Sequence, residues 1–170
     1  MKFKKSGVIQ YPDYINIISI YIGKLRDLYN TELNEKNPKY KRGELSEFVN
    51  ILGIKGELIV QNFLFEQKVN FTYGEILSSK PVGSADVFIG SRNIDVKSIN
   101  DGAAHLLVNK EAHEKNKNIT HYWFIQPLVD NNNKPTTTAN YWIFTKEDVD
   151  DWKIDDFGYS YAYCKEIKTI

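Results

Sequence analysis

Three charged residues that lie close together in the chain, Asp86, Asp95 and Lys97, have types and spacing that suggest chemistry. Two carboxylates held about 4 Å apart repel by roughly 4 kcal/mol at the effective dielectric constant of a protein surface. A divalent cation relieves such repulsion, and carboxylate oxygens are ligands that suit Mg²⁺ or Mn²⁺. The surrounding residues 84–99 include no Cys or His that would indicate zinc. The alternative interpretation is an ordinary hairpin in which Lys97 neutralises Asp86 across two strands.

The three residues lie in two β-rich runs, 86–89 and 94–99, separated by Gly-Ser-Arg-Asn, a sequence suited to a tight turn. With a two-residue loop at 91–92, Asp86 is expected directly opposite Lys97. Opposed residues share a face, as do residues two apart along a strand, so both carboxylates and the lysine are expected on one face. The other face is apolar and is expected in the core: Val87, Ile89, Ile94 and Val96.

The order of these residues resembles the core of the PD-(D/E)xK nuclease superfamily, which has the restriction-endonuclease-like fold. In that pattern an aspartate on one strand is followed by an acidic-x-Lys triplet on the next. Asp86 and the triplet from Asp95 to Lys97 stand in those places. The family's pattern begins with an acidic residue on a preceding helix, and Glu57 supplies it in the right order. The proline usually written before the first aspartate is Ala85 here, a departure that touches no ligand.

The resemblance covers roughly residues 45–126 and implies an α/β fold: a central mixed β-sheet flanked by helices, with a restriction-endonuclease-like core. It implies a metal-dependent endonuclease that hydrolyses phosphodiester bonds in DNA, with Mg²⁺ as cofactor and Mn²⁺ as a substitute. Lys97 is implied to orient the attacking water and to offset charge on the phosphorane. The implied metal ligands are Asp86, Asp95, the backbone carbonyl of Val96, and Glu57 directly or through water. The implied catalytic residues are Glu57, Asp86, Asp95 and Lys97.

Several functions share such a site, and the fold does not choose among them. The first hypothesis is a restriction-endonuclease-like homodimer on duplex DNA, because two polar loops, 31–42 and 129–139, offer recognition groups. The second is a structure-specific nuclease for branched DNA, such as a Holliday-junction resolvase or phage recombination nuclease, because the chain lacks an obvious recognition domain. From another class, the chain could be a non-catalytic nucleic-acid-binding or interaction module, although such a module would be free to lose Lys97.

Two groups of basic residues are candidate contacts to nucleic acid, and solvated surface positions are the competing interpretation. The first group lies in the polar segment 31–42, the densest basic cluster of the sequence. The second lies on a short predicted helix, 110–117, soon after the acidic hairpin. The candidate residues are Lys39, Lys41, Arg42, Lys110 and His113.

Hydrophobic periodicity predicts the elements that position these residues. A helix over 13–29 is expected to cover the core with its apolar stripe: Ile15, Ile18, Ile22, Leu25 and Leu28. A second helix over 44–67 carries Glu57, and Gly53 and Gly56 within it predict either a break or a close backbone approach. Further strands are expected at 69–77, 104–108, 121–128, 141–144 and 159–163, with short helices capped by Asn109 and Thr145.

Length and composition favour one domain over residues 1–170, since 42% of the residues are hydrophobic and can form a sizeable core. The 22 basic and 22 acidic residues balance, so a nuclease would depend on local patches and metal ions to attract phosphate. One cysteine excludes an internal disulfide, and no apolar run approaches the length of a membrane span. These features predict a cytoplasmic protein without membrane contact.

Overall fold

A six-stranded mixed β-sheet lies at the centre of the fold, in a computed structural model that describes residues 4–36, 47–77, 85–158 and 160–167. The predicted α/β class, with a central mixed sheet flanked by helices, is confirmed. The elements in chain order are β1 (Ser6–Gln10), α1 (Tyr14–Lys36), α2 (Glu47–Glu66), β2 (Thr72–Tyr73), β3 (Val87–Ile89), β4 (Arg92–Ser98), β5 (His105–Asn109), α3 (Lys110–Lys115), β6 (His121–Val129), β7 (Pro135–Thr145), α4 (Lys146–Asp150), β8 (Lys153–Asp156) and β9 (Tyr161–Glu166).

The large sheet has the strand order β1-β7-β6-β4-β3-β2, and β4 and β6 are its parallel neighbours. The other adjacent strands pair antiparallel. Between β4 and β6 the chain passes through β5 and α3, since parallel neighbours need a crossover connection. Strand β5 joins β9 and β8 in a separate three-stranded antiparallel sheet. Strand β4, which carries Asp95 and Lys97, therefore lies inside the large sheet between β3 and β6.

Two hydrophobic clusters cover the two faces of the large sheet. Because side chains alternate along a strand, Trp123 and Ile125 of β6 join the cluster that contains residues of α1 and α2. Tyr122 and Phe124 join the cluster formed with β5, β9 and α4. Strand β6 is thus buried on both faces, which explains its continuous run of apolar and aromatic residues.

Helix α1 is rotated about its axis relative to the predicted orientation. Ile15 is buried as expected, but Ile18, Leu25 and Leu28 are exposed, so the prediction that this stripe covers the core is wrong for those three residues. The side of α1 turned inward is small and polar instead: Ser19, Gly23, Arg26 and Asn30.

The polar residues on the inward side of α1 have partners on α2, which is the physical reason for this orientation. Asn50 donates from Nδ2 to Asp27 Oδ1 at 2.8 Å and accepts from Asn30 Nδ2 at 3.3 Å. The helices also come very close: a Cβ on Gly23 would lie 2.5 Å from the Cα of Ile51. A glycine there permits the contact, and hydrogen bonds satisfy the groups that the contact buries.

Other predicted elements are confirmed with changed bounds. Asn109 Oδ1 accepts from the Ala112 N–H at 2.9 Å, and Thr145 forms a capping box with Asp148, as predicted. The predicted strand 69–77 is reduced to β2. Residues 135–139 of the predicted loop 129–139 belong to β7, where Pro135 and Ala139 pair with β6 and Thr138 pairs with Gln10 of β1. Strands β1 and β8 had no sequence prediction.

Among the described residues, one helix, α2, is long and apolar enough to cross a membrane by length and composition. Its buried residues include Ile54, Ile59, Val60 and Leu64, and the last three join the cluster on the sheet. Core helices of soluble proteins have this same character. The fold is therefore compatible with a soluble protein.

Candidate active site

The β3–β4 hairpin has a different register from the predicted one. Val87 pairs with Ile94, and the loop consists of residues 90–91 rather than 91–92. Gly90 has φ +57°, which glycine adopts without steric cost, and this places the turn one residue earlier. Each cross-strand pairing moves by two residues. Because a one-residue slip would exchange the faces and a two-residue slip does not, the predicted faces survive the error.

Asp95 and Lys97 project from the same face of β4. Lys97 Nζ lies 2.7 Å from Asp95 Oδ1. The residues that alternate with them, Ile94 and Val96, are buried in the cluster shared with α2. The lysine therefore pairs with the carboxylate on its own strand, and not with Asp86 across the hairpin as the ordinary-hairpin interpretation requires.

Asp86 lies one residue before β3, and its carboxylate reaches the backbone of β4. Its Oδ2 accepts a hydrogen bond from the Val96 N–H at 2.7 Å, while its own N–H donates to the Ile94 carbonyl at 2.9 Å. Burial raises the pKa of Asp86 well above its usual range, and the charges of Glu57 and Asp95 raise it further. These effects exceed the opposing ones of Lys97 and the Val96 N–H. Burial is the largest of these effects, and the neighbouring carboxylates add to it.

Glu57 comes to this site because α2 lies directly against β4. A Cβ on Gly56 would be 1.9 Å from Ser98 Oγ, so the close backbone approach predicted beside Glu57 is confirmed. The alternative prediction of a helix break near Gly53 is wrong, since α2 is continuous. The contact between α2 and β4 brings the Glu57 carboxylate close enough to act on the pKa of Asp86.

Arg26 of α1 is a member of the site that the sequence did not reveal. Its Nη1 and Nη2 lie 2.8 and 2.9 Å from the two carboxylate oxygens of Glu57, and its Nε donates to the Ile76 carbonyl at 3.0 Å. The pair is largely buried, with side-chain exposures of 16% for Arg26 and 12% for Glu57. The two residues are 31 positions apart, and nothing in the local pattern of either helix indicates the pairing.

Lys97 is held as a cation by its surroundings. Burial acts to lower its pKa, but the Asp95 carboxylate, through charge and a hydrogen bond, raises it. The charges of Asp86 and Glu57 act in the same direction, and the pKa of Lys97 ends above its usual value. This lysine therefore stays protonated at neutral pH and acts as a hydrogen-bond donor and a positive charge.

The site fits a hard divalent cation in donor type and in charge. The implied ligands are oxygen atoms, and the pKa of Asp86, raised by burial and then by the charges of Glu57 and Asp95, marks a buried carboxyl whose charged form a cation would stabilise. In the part of the chain that the structure describes, no group of three or more His, Cys, Asp or Glu side chains is already arranged to hold a metal. Arg26 contacts both oxygens of Glu57, so the direct ligand role implied for Glu57 competes with an ion pair.

The residues predicted to contact nucleic acid lie in different environments, and three of them lie outside the described residues: Lys39, Lys41 and Arg42. Lys110 begins α3 and forms an ion pair with Glu114, 3.7 Å away, on the helix surface.

His113 lies in the core rather than on the surface of α3. Its side chain is 1% exposed, with Nδ1 2.8 Å from the Tyr122 hydroxyl and Nε2 2.8 Å from Asp150 Oδ1. Contact between His113 and nucleic acid does not fit this position, since both ring nitrogens have protein partners. The helical pattern could not reveal this, because both partners come from later elements.

Comparison of the chain with protein-family models, with curated proteins and with solved structures finds no match. The site brings together four of the residues singled out by sequence, Glu57, Asp86, Asp95 and Lys97, and adds Arg26 to them. Such a group can attract a divalent cation and hold a protonated amine beside it.

Proposed function

We propose that this protein is a metal-dependent DNA endonuclease that hydrolyses phosphodiester bonds, and that its resemblance to PD-(D/E)xK nucleases extends to a restriction-endonuclease-like core. One observation carries the proposal. Asp86 has a strongly raised pKa between the carboxylates of Glu57 and Asp95, with the Lys97 ammonium 2.7 Å from Asp95. Lys97 pairs with Asp95 and Arg26 pairs with Glu57, so Asp86 is the carboxylate that these two ion pairs leave over, and a cation site would use it.

Asp86, Asp95 and the Val96 carbonyl are the proposed ligands of Mg²⁺, for which Mn²⁺ would substitute, and Glu57 contributes through water or after leaving Arg26. An ion held there would supply Lewis-acid polarisation of the scissile phosphate and would lower the pKa of a water beside it. Lys97 donates a hydrogen bond that orients the attacking water, and its charge offsets the negative charge that develops on the phosphorane. Because Lys97 remains protonated, we assign it no role as a general base.

The proposed substrate is DNA, duplex or branched, in the cytoplasm. The chain has no net charge, so affinity would depend on local basic residues and on the ion. Lys39, Lys41, Arg42 and Lys110 remain proposed phosphate contacts. His113 is no longer among them, because it is buried.

The deciding experiment incubates purified protein with supercoiled plasmid and, in parallel, with a four-way junction, each with Mg²⁺, Mn²⁺ or EDTA. The test variant is Asp95→Asn, which removes one charge and keeps the side-chain shape. The matched control is Glu66→Gln, which removes an exposed charge at the end of α2. We expect metal-dependent cutting that falls by at least about 100-fold in Asp95→Asn and is unchanged in the control.

Two further measurements separate the proposed roles. Discrete plasmid fragments support a restriction-like enzyme, whereas cutting of the junction alone supports a structure-specific nuclease. Calorimetric titration with Mg²⁺ should show weaker binding in Asp95→Asn and nearly unchanged binding in Lys97→Ala. Cutting by Asp95→Asn at the wild-type rate, or no cutting of either DNA with any metal, would contradict the proposal.

A further inference from the structure

Helix α1 presents a continuous apolar face to solvent. Tyr21 is 68% exposed at the middle of this face, and the residues above and below it are also aliphatic or aromatic. We call these residues the outer face of α1: Tyr14, Ile17, Ile18, Ile20, Tyr21, Leu25 and Leu28. The opposite side of the helix, with Gly23 and Asn30, packs on α2. At one end of this face the Tyr14 hydroxyl donates to Asn62 Oδ1 of α2 at 3.4 Å, and the other six residues are exposed, although this is the more apolar side of the helix.

The spacing of the outer face is that of a helix that pairs with another helix. Five of its residues follow steps of four, three, four and three positions: Tyr14, Ile18, Tyr21, Leu25 and Leu28. This is an average repeat of 3.5 residues, which forms a straight seam along one side of a helix. An apolar face needed only to cover a globular core is broader and faces inward.

The area of the outer face matches the requirement of a stable interface. Its seven side chains expose on the order of 700 Å² together, taking about 150–250 Å² for each fully exposed large side chain. The largest apolar patch on a typical monomer is about 300–600 Å², and a standard interface buries about 800 Å² per partner. Two tyrosines within the face are also typical, since aromatic residues are enriched at interfaces.

We infer that the outer face of α1 is a homodimer interface, in which α1 packs against α1 of a second copy of this chain. Self-association suits a straight seam that is centred on Tyr21, because two-fold symmetry can then place the same seam on both partners. A membrane surface fits less well. Helices that lie on membranes carry a basic polar face, whereas α1 has three basic and three acidic residues. The inference is independent of the proposed nuclease activity.

The first test measures the molar mass of the full chain by light scattering during size-exclusion chromatography at micromolar concentration. The wild type should have twice the chain mass of 19.7 kDa. Leu25→Glu places a charge in the seam at an exposed helical position, and it should be monomeric with unchanged far-ultraviolet circular dichroism. Phe65→Glu, at a 73% exposed apolar residue of α2, is the matched control and should remain dimeric.

The second test locates the contact directly. Tyr21→Cys is made in a Cys164→Ser background, so that the new thiol is the chain's single thiol. Residue 21 is the midpoint of the seam, so it should face residue 21 of the second copy whether the two helices run parallel or antiparallel. Two cysteines at this position should therefore lie within the distance that a disulfide bridges. Oxidised glutathione should link this variant into a covalent dimer and should not link the Phe65→Cys control.

A wild type that is monomeric would overturn the inference, whether or not it sediments with lipid vesicles. A dimer that persists in Leu25→Glu, without cross-linking through residue 21, would also overturn it and would place the interface elsewhere. Cross-linking of Tyr21→Cys together with a monomeric Leu25→Glu would establish the interface, independently of any DNA cleavage.

Discussion

The β3–β4 hairpin and helix α1 both contribute charged side chains to one site, but they hold those charges in different ways. In the hairpin, Asp95 and Lys97 stand on one face of β4 while the alternate residues are buried in the core. In α1, the charged Arg26 points inward to Glu57, and the apolar residues of the outer face point to solvent. The hairpin thus separates charge from core, whereas α1 uses a charged residue to pack against its neighbour.

An amphipathic element therefore does not always bury its apolar side. A strand inside a sheet has two faces already defined by its neighbours, so alternation decides which residues enter the core. A surface helix can rotate about its axis. If its polar side chains find partners and its backbone can approach closely, as at Gly23, the polar side can face inward. The apolar side then remains available for a partner.

The largest effect is expected from breaking the buried ion pair. Arg26→Ala leaves the Glu57 carboxylate largely buried without its cation, which should lower the free energy of unfolding by about 3–5 kcal/mol. The matched control is Lys24→Ala: its pair with Glu47, 3.6 Å apart, is about half exposed and should contribute less than about 1 kcal/mol. Urea unfolding of both variants measures the contrast. Equal losses would mean that α1 does not depend on its inward charge.

Truncation of an apolar residue should have different consequences for stability in the hairpin and in α1. Ile94→Ala removes a fully buried side chain and should cost about 2–5 kcal/mol at every protein concentration. Leu25→Ala should instead lower the melting temperature mainly where the wild type is dimeric, because the Leu25 side chain packs against the second subunit. Melting curves over a range of concentrations separate the two cases. A large, concentration-independent loss of stability in Leu25→Ala would show that Leu25 belongs to the core.

The closeness of α1 and α2 predicts opposite results for two glycines. Alanine is favoured over glycine in a helix by about 1 kcal/mol. Gly23→Ala should nevertheless destabilise the fold by about 1–3 kcal/mol, because the new Cβ would meet the backbone of Ile51 at 2.5 Å. Gly53→Ala, whose nearest neighbour would be Arg26 Nη1 at 3.7 Å, should be neutral or stabilising. If both variants gain stability in urea titrations, the two helices are less tightly packed.

The smallest effect on the stability of the fold is expected in the hairpin, and it is a gain in stability. A raised pKa means that folded Asp86 holds its proton more tightly than the unfolded chain does. The stability that the Asp86 carboxyl contributes is therefore fully present below its pKa in the unfolded chain. This contribution is lost as the pH rises through its pKa in the folded protein. Asp86→Asn imitates the protonated form, so it should melt higher than the wild type at neutral pH, by about 2–4 °C for each kcal/mol gained.

Melting curves recorded at a series of pH values provide the control for this effect. The difference in melting temperature between Asp86→Asn and the wild type should shrink as the pH falls toward the unfolded pKa. The same variant should lose metal-dependent cleavage under the proposed function, which would separate stability from activity at one residue. A lower melting temperature for Asp86→Asn at neutral pH would contradict the charge crowding inferred at the site.

Much of the fold could be predicted from local patterns. The two long helices, the hairpin and the strands around β6 followed from periodicity, and the caps at Asn109 and Thr145 from residue type. The register of the hairpin differs from the predicted one by two residues, because Gly90 adopts a positive φ at the first loop position. Short strands such as β1 and β8 escaped prediction because they are formed by pairing with strands distant in sequence.

Side-chain alternation is a local property of a strand, so the local pattern was enough to identify which residues can do chemistry and on which face of β4 they stand. The sequence offered a close backbone approach beside Glu57 as one of two alternatives for the glycines of α2, and the contact of Gly56 with Ser98 decided between them. Three features could be read only from the folded chain: Arg26 holds Glu57, His113 is buried between Tyr122 and Asp150, and α1 turns its apolar face outward. Each of these depends on partners far along the chain, and the rotation of a helix is fixed by the sum of such contacts rather than by its own sequence.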